Sequence, residues 1–264
     1  MLNARLELFA QRDLVLGWSD AERKRIQNSI SNLTYWLNHK LEVSKTIIFG
    51  SWTRNTILPR KYDESSDIDI MVVFHGNLYN RDPESCRDLL RKYVAGAYSS
   101  SYVRKDAPAV KLELNFIKYD LVPAIADEWT GQYYIPNTGY GEGWMLTSPK
   151  DLDPRLESAN VSLGGNIVRN VIRLCKYLNK STDRTSMSSY ELESFIVDNI
   201  YSLSYLTPQR TYDYFIGMMR LMLSSAYSPQ TMANILDWIE YYRGKEDRNG
   251  QITWLRKILP GFID

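Results

Sequence analysis

FGSWTRNTILPRKYDESSDIDIMVVF, residues 49–74, is the stretch that decides the fold. Ile68, Ile70, Met71, Val72, Val73 and Phe74 are apolar and mostly β-favouring, which predicts a strand over 67–74. Asp67 and Asp69, one residue apart, fall on the same face of that strand because side chains alternate with period two. Two carboxylates on an otherwise apolar strand need a reason. Paired hard oxygen ligands suit Mg²⁺, which binds through a few carboxylates and completes its shell with substrate phosphates. Upstream, Ile47-Ile48-Phe49 reads as a strand that Gly50-Ser51 breaks into a turn, where backbone N–H groups and a hydroxyl can cradle phosphate. Read apart, each motif is weak, since a D-x-D at a strand end is as often a solvated turn. Together they point to nucleotide phosphoryl chemistry.

The strand–GS–loop–strand pattern with D-x-D resembles the nucleotidyltransferase superfamily typified by DNA polymerase β. That resemblance implies a third carboxylate on a neighbouring strand. Lys111–Ile117 alternates polar and apolar residues and runs into Lys118-Tyr119-Asp120-Leu121-Val122-Pro123-Ala124, so a strand is expected over 109–122, with Pro123 ending its ladder. Asp120 is the candidate. YDLVPAI is similar to the third-carboxylate segment of oligoadenylate synthase-like and cyclic GMP–AMP synthase-like enzymes, the CD-NTase family. Glu113 is the rival, with no family pattern around it.

The second half extends the resemblance. Ile167, Val171, Leu174, Cys175 and Leu178 fall on one helical face, and Arg169, Arg173, Lys176 and Lys180 on the opposite one. An ordinary solvated basic face is the plain reading of that stripe. Yet Arg173–Leu178 followed by Ser188-Ser189-Tyr190-Glu191-Leu192-Glu193 resembles the paired helices that hold the donor nucleotide in the cyclic GMP–AMP synthase-like family. Ser188 and Glu191 form a capping box, which sets Ser189 and Tyr190 in the first turn of a helix, a natural anion site. The resemblance implies that Lys176 and Ser189 contact the triphosphate and that Tyr190 stacks on the base. Arg54, Asn55 and Thr56 resemble the family's R-x-T after GS. Asn160 falls where similar bacterial enzymes read the acceptor base; a helix-cap or turn role is the equal alternative.

At 264 residues the chain can bury a substantial core. Its net charge of +1 supplies no bulk basic field for gripping long nucleic acid. Two cysteines and two histidines argue against disulfide stapling and a four-ligand structural zinc. No run approaches 18 apolar residues and no signal peptide is visible, so a cytoplasmic protein without membrane association is expected.

The expected fold is α+β and bilobal, polymerase β-like: a mixed-sheet catalytic lobe over residues 1–158, with an N-terminal spine helix, and a helical nucleotide-binding lobe over 159–264. Ser19–Glu22 is a capping box opening a helix to about His39, and Pro83 suits the first turn of a helix near 83–97. Gly131–Trp144 reads as a lid or a strand pair. Helices are expected at 163–180, 189–204, 208–226, 229–243 and 251–258, with Thr207-Pro208 and Ser228-Pro229 as N-cap and N1 pairs.

The family resemblance implies a template-independent synthase that joins NTPs into a cyclic or linear second messenger, in bacteria within anti-phage (CBASS) signalling. Asp67, Asp69 and Asp120 would hold two Mg²⁺ ions, with Mn²⁺ as the alternative, and Gly50 and Ser51 the phosphates. Expected partners are NTPs and effector or regulatory proteins of a defence operon. A nucleotidyltransferase acting on RNA 3′ ends or a protein, and a silent nucleotide-binding module, remain as alternatives.

Overall fold

The apolar run Ile68–Phe74 becomes a buried strand because it pairs on both sides. The computed structural model describes residues 2–78, 80–137, 143–182, 187–206, 210–225 and 230–262. Its first elements are α1 (Leu2–Leu8), continued by a π-helical turn Phe9–Asp13, then α2 (Asp20–Lys40), β1 (Val43–Phe49), β2 (Ile68–Phe74) and α3 (Pro83–Ala97). Strands β3 (Tyr102–Asp106), β4 (Ala109–Glu113), β5 (Lys118–Ala126), β6 (Tyr133–Pro136) and β7 (Trp144–Thr147) follow. The remainder is helical: α4 (Leu152–Leu163), α5 (Ile167–Thr182), α6 (Ser189–Asn199), α7 (Thr211–Ser225), α8 (Gln230–Gly244) and α9 (Arg248–Leu255).

These elements sort into two units, one of Ser19–Arg54 and Ser65–Asp151, the other of Met1–Trp18, Asn55–Glu64 and Leu152–Asp264. The chain passes between them at 18/19, 54/55, 64/65 and 151/152. This differs from the expected division at 158/159. Leu6, Phe9 and Leu58 share one core with Leu156, Val168 and Phe215, so burial assigns the chain start and the 55–64 segment to the helical unit. The helix expected over 163–180 is α5, which starts at Ile167, and the sequence reading missed the helix before it. Leu152–Leu163 forms a helix of its own with Pro154 in its first turn, and a positive-φ Gly164-Gly165 pair separates it from α5.

The sheet unit carries strands in the order β1-β2-β5-β4-β3, with β6 and β7 added beyond β5. β2 and β5 run parallel; the other pairs are antiparallel, so the sheet is mixed as expected. The strand expected over 109–122 is two strands of a hairpin, closed where Leu114 N–H donates to Ile117 O at 2.9 Å. Pro123 does not end the ladder either. It pairs with Val72, while β4 reaches only as far as Leu121 and β6 begins opposite Ile125. The missing N–H falls in that one-sided gap, where no ladder bond is lost.

Local signals hold. Ser19 caps α2 by accepting from Glu22 N–H at 3.2 Å, and Asp82 caps α3 ahead of Pro83. β6 and β7 pair, so the ends of the Gly131–Trp144 segment are strands, while residues 138–142 lie outside the described residues. Thr207, Pro208, Ser228 and Pro229 lie outside them too. In the helical unit, Phe9, Tyr62, Tyr177 and Phe262 form an edge-to-face aromatic cluster with centroids 5.0–6.2 Å apart. No helix among the described residues is long and apolar enough to cross a membrane.

Candidate active site

Parallel pairing of β2 with β5 sets Asp69, the second residue of one strand, directly opposite Asp120, the third of the other. Asp67 immediately precedes β2. β1, antiparallel to β2, ends with Phe49 opposite Asp69 and so delivers Gly50 and Ser51 to the same sheet edge. Gly50 has φ +77°, and a Cβ there would lie 2.0 Å from Asp69 Oδ2, so only glycine fits. Its carbonyl accepts from Thr53 Oγ1 at 2.9 Å and from Arg54 N–H at 3.3 Å, which closes the turn. The rival Glu113 sits in the hairpin and pairs with Lys118 at 3.5 Å.

One residue at this edge was not singled out by the sequence. Lys111 stands opposite Asp120 on β4. Its Nζ lies 3.2 Å from Asp106 Oδ2, 3.4 Å from Asp120 Oδ2 and 3.7 Å from Asp67 Oδ2. The only sequence signal was a base on an alternating strand, and its meaning depends on the long-range register. Burial, reinforced by the Asp67 charge, pushes the Asp120 carboxyl up to about 7, with Lys111 opposing the rise. Burial works to lower Lys111, but Asp120, Asp67 and Asp106 outweigh it and hold its ammonium above the usual range.

In the helical unit Arg173 and Lys176, on the basic face of α5 expected to be solvated, are buried, whereas Arg169 is half-buried and Lys180 is exposed. Arg173 donates to Asn55 O through Nε at 3.0 Å and Nη2 at 2.6 Å, and to Ala10 O at 3.2 Å. Lys176, 4% exposed, donates to Glu193 Oε1 at 3.0 Å; Thr56 Oγ1 donates to the same oxygen at 2.8 Å. Lys180 pairs with Asp63 at 3.4 Å. Glu193, wholly buried, anchors this cluster, and the sequence reading passed over it as part of the SSYELE match. The Ser188–Glu191 capping box is formed, and it sets Ser189 and Tyr190 in the first turn of α6, with Tyr190 47% exposed. Asn160 is buried near the end of α4. Its Oδ1 accepts from Arg169 N–H at 3.3 Å and its Nδ2 donates to Asn166 Oδ1 at 3.1 Å, so its amide caps the start of α5 from outside.

The part of the chain that carries the carboxylate edge matches a known family. The Second Messenger Oligonucleotide or Dinucleotide Synthetase domain covers residues 2–160, more than half of the sequence. The chain belongs to this family. It is a nucleotidyltransferase that synthesises a second-messenger nucleotide from NTPs. Among solved structures, CdnC of E. coli MS115-1 with ATP is similar over 99% of this chain and 98% of its own, at 13% identity and a TM-score of 0.75. The same protein in a CdnC:HORMA-deltaN complex matches over 100% and 98%, at 14% identity and 0.69. The Elizabethkingia meningoseptica CdnE cyclic dinucleotide synthase with GTP and Apcpp matches over 86% and 87%, at 14% identity and 0.60. At such identities the likeness is one of fold. No curated protein matches the chain.

Synthetases of this family generally use divalent metal ions, and the residues here fit one. Their donors are hard carboxylate oxygens. Asp120 Oδ1 is buried with no hydrogen-bond partner, an acceptor left over for coordination. As they stand, no three His, Cys, Asp or Glu side chains among the described residues are close enough to hold an ion together. The Lys111 ammonium lies between two of the carboxylates instead.

Proposed function

We propose that this synthetase joins NTPs without a template into a cyclic di- or trinucleotide, acting in the bacterial cytoplasm within anti-phage signalling of the CBASS type. The observation that carries this reading is the Asp69–Asp120 register pair, flanked by Asp67 and backed by the Gly50 turn. Two bound Mg²⁺ ions, or Mn²⁺ in their place, would supply charge neutralisation on the triphosphate and a lower cost of deprotonating the acceptor hydroxyl.

Asp67 and Asp69 would hold metal on the donor side and Asp120 on the acceptor side. The acceptor hydroxyl attacks the α-phosphorus of the donor, and pyrophosphate leaves. The Gly50-Ser51 turn offers N–H groups and a hydroxyl to the donor phosphates. Tyr190 presents an exposed ring on which a donor base can stack, an interaction worth roughly 1–3 kcal/mol. Ser189 lies beside it at the helix start. Lys176 gives one N–H to Glu193, and any contact with donor phosphate uses its other two. Asn160 spends both ends of its amide on the α4–α5 junction, which favours its capping role over reading a base. A regulatory protein partner belongs to the same reading, since CdnC forms a complex with a HORMA protein.

The deciding experiment incubates pure protein with α-labelled NTPs and Mg²⁺, without RNA. A phosphatase-resistant product with the mass of a cyclic di- or trinucleotide is expected. A ladder of linear chains, or label passing only to added tRNA, overturns the reading.

A further inference from the structure

Asp67, Asp69 and Asp120 lie at the edge where β2 and β5 begin, and Asp106, the last residue of β3, comes within reach of the same lysine, Lys111. Neighbouring strands are only about 4.8 Å apart, so these charges repel one another. Lys111 and Arg104 both reach into this set, Arg104 Nη2 lying 3.5 Å from Asp106 Oδ2. Lys111 is fixed on β4 opposite Asp120, yet its charge sits at the end of a flexible four-carbon stem. That charge touches three carboxylates, and the shortest of its contacts is to Asp106, the one outside the candidate metal set. Asp120 Oδ1 is left without a hydrogen bond. The plain alternative is a strand salt bridge with no further consequence. Three observations count against it: the lysine bridges two different candidate ligands, it leaves a third oxygen open, and the ligands do not converge while it is there.

We propose that Lys111 is a tethered counter-ion: it holds Asp67 and Asp120 until divalent ions enter, then swings onto Asp106 and frees both carboxylates. It thereby sets the metal concentration at which the site assembles. This rests on the reading of Asp67, Asp69 and Asp120 as metal ligands. Lys111 is a positioning residue here, since it acts through the carboxylates rather than on the nucleotide. Removing its charge removes a competitor and deepens the negative field, so metal binding tightens. A surface salt bridge with no such role would leave metal affinity almost unmoved.

The test is Mn²⁺ titration of nucleotide-free protein, followed by electron paramagnetic resonance, for wild type, Lys111→Met and Asp69→Asn. Lys111→Gln replaces Lys111→Met if circular dichroism shows the latter misfolded. Lys111→Met should bind Mn²⁺ about tenfold more tightly, a modest share of what one close unit charge exerts at a partly solvated site. It should also melt at a lower temperature than wild type in EDTA, with the gap closing at saturating Mn²⁺. Unchanged or weaker Mn²⁺ binding by Lys111→Met, with binding lost in Asp69→Asn, overturns the counter-ion and leaves the metal reading standing. No binding by wild type and Lys111→Met alike, or full binding by Asp69→Asn, overturns both.

Discussion

The carboxylate edge of the sheet and the basic face of α5 are both charged sets on regular elements, and they come to opposite ends. On α5 every cation has its own partner: Arg173 the carbonyls of Asn55 and Ala10, Lys176 the carboxylate of Glu193, Lys180 that of Asp63. At the sheet edge one lysine serves three carboxylates, and a buried Asp120 oxygen has no partner. A charged set that satisfies itself builds structure. A set that leaves its own polar atoms wanting is arranged for something that arrives later. Spacing along the sequence does not separate the two cases; only the inventory of partners does.

Asp69→Asn should break the comparison most sharply. It keeps the volume and loses the charge, so product formation should fall below detection in a protein whose melting temperature is nearly unchanged. Full activity in a folded variant would return the edge to the class of structural charge.

Next comes the pair on α5. Lys176→Ala leaves the Glu193 carboxylate buried without its counter-charge, and Glu193→Ala does the same to the Lys176 ammonium, so each should cost about 3–5 kcal/mol in denaturant unfolding. The double variant Lys176→Met/Glu193→Leu removes both charges and should recover most of that loss. If it also retains the wild-type affinity for a non-hydrolysable NTP in calorimetry, Lys176 is purely structural. Lost affinity on a restored fold would make it a donor ligand as well.

Gly50→Ala should cost about 1–2 kcal/mol from its positive φ alone, and more from the clash with Asp69. Urea melts and product assays on the same sample should show activity falling further than stability, because the displaced group is the carboxylate itself. The smallest effect is expected at Lys180, 38% exposed, where Lys180→Ala should cost no more than about 1 kcal/mol. A larger loss there would mean that the 55–64 segment depends on that ion pair more than on its apolar contacts.

What was legible in the sequence was local. The Ser188–Glu191 capping box, the Asp82-Pro83 helix start and the apolar run of β2 each depend on residues within a few positions of one another. So does the Gly50-Ser51 turn at the end of β1. The presence of Asp67, Asp69 and Asp120 was legible too, but their alignment follows from β2–β5 register, which pairs residues about fifty positions apart. Lys111, Glu193 and Pro123 were misjudged or missed for a single reason. A strand partner, a buried counter-charge and a gap between neighbouring strands are all properties of distant segments. Arg173 and Lys176 looked solvent-facing because helical periodicity separates two faces without saying what covers the second.

The connection between β1 and β2 carries its own consequence. Two strands that lie side by side in one sheet are joined by residues 50–67, and the middle of that link, Asn55–Glu64, is packed into the core of the helical unit. Neither unit is therefore a contiguous length of gene. A single cut at any codon separates residues that must be buried together, so truncation cannot liberate a working catalytic half. Swapping parts between related synthetases by one crossover would mismatch a core on at least one side. Exchange that preserves both cores has to move interleaved segments as a set, and selection on either unit is felt through the same short stretch of chain.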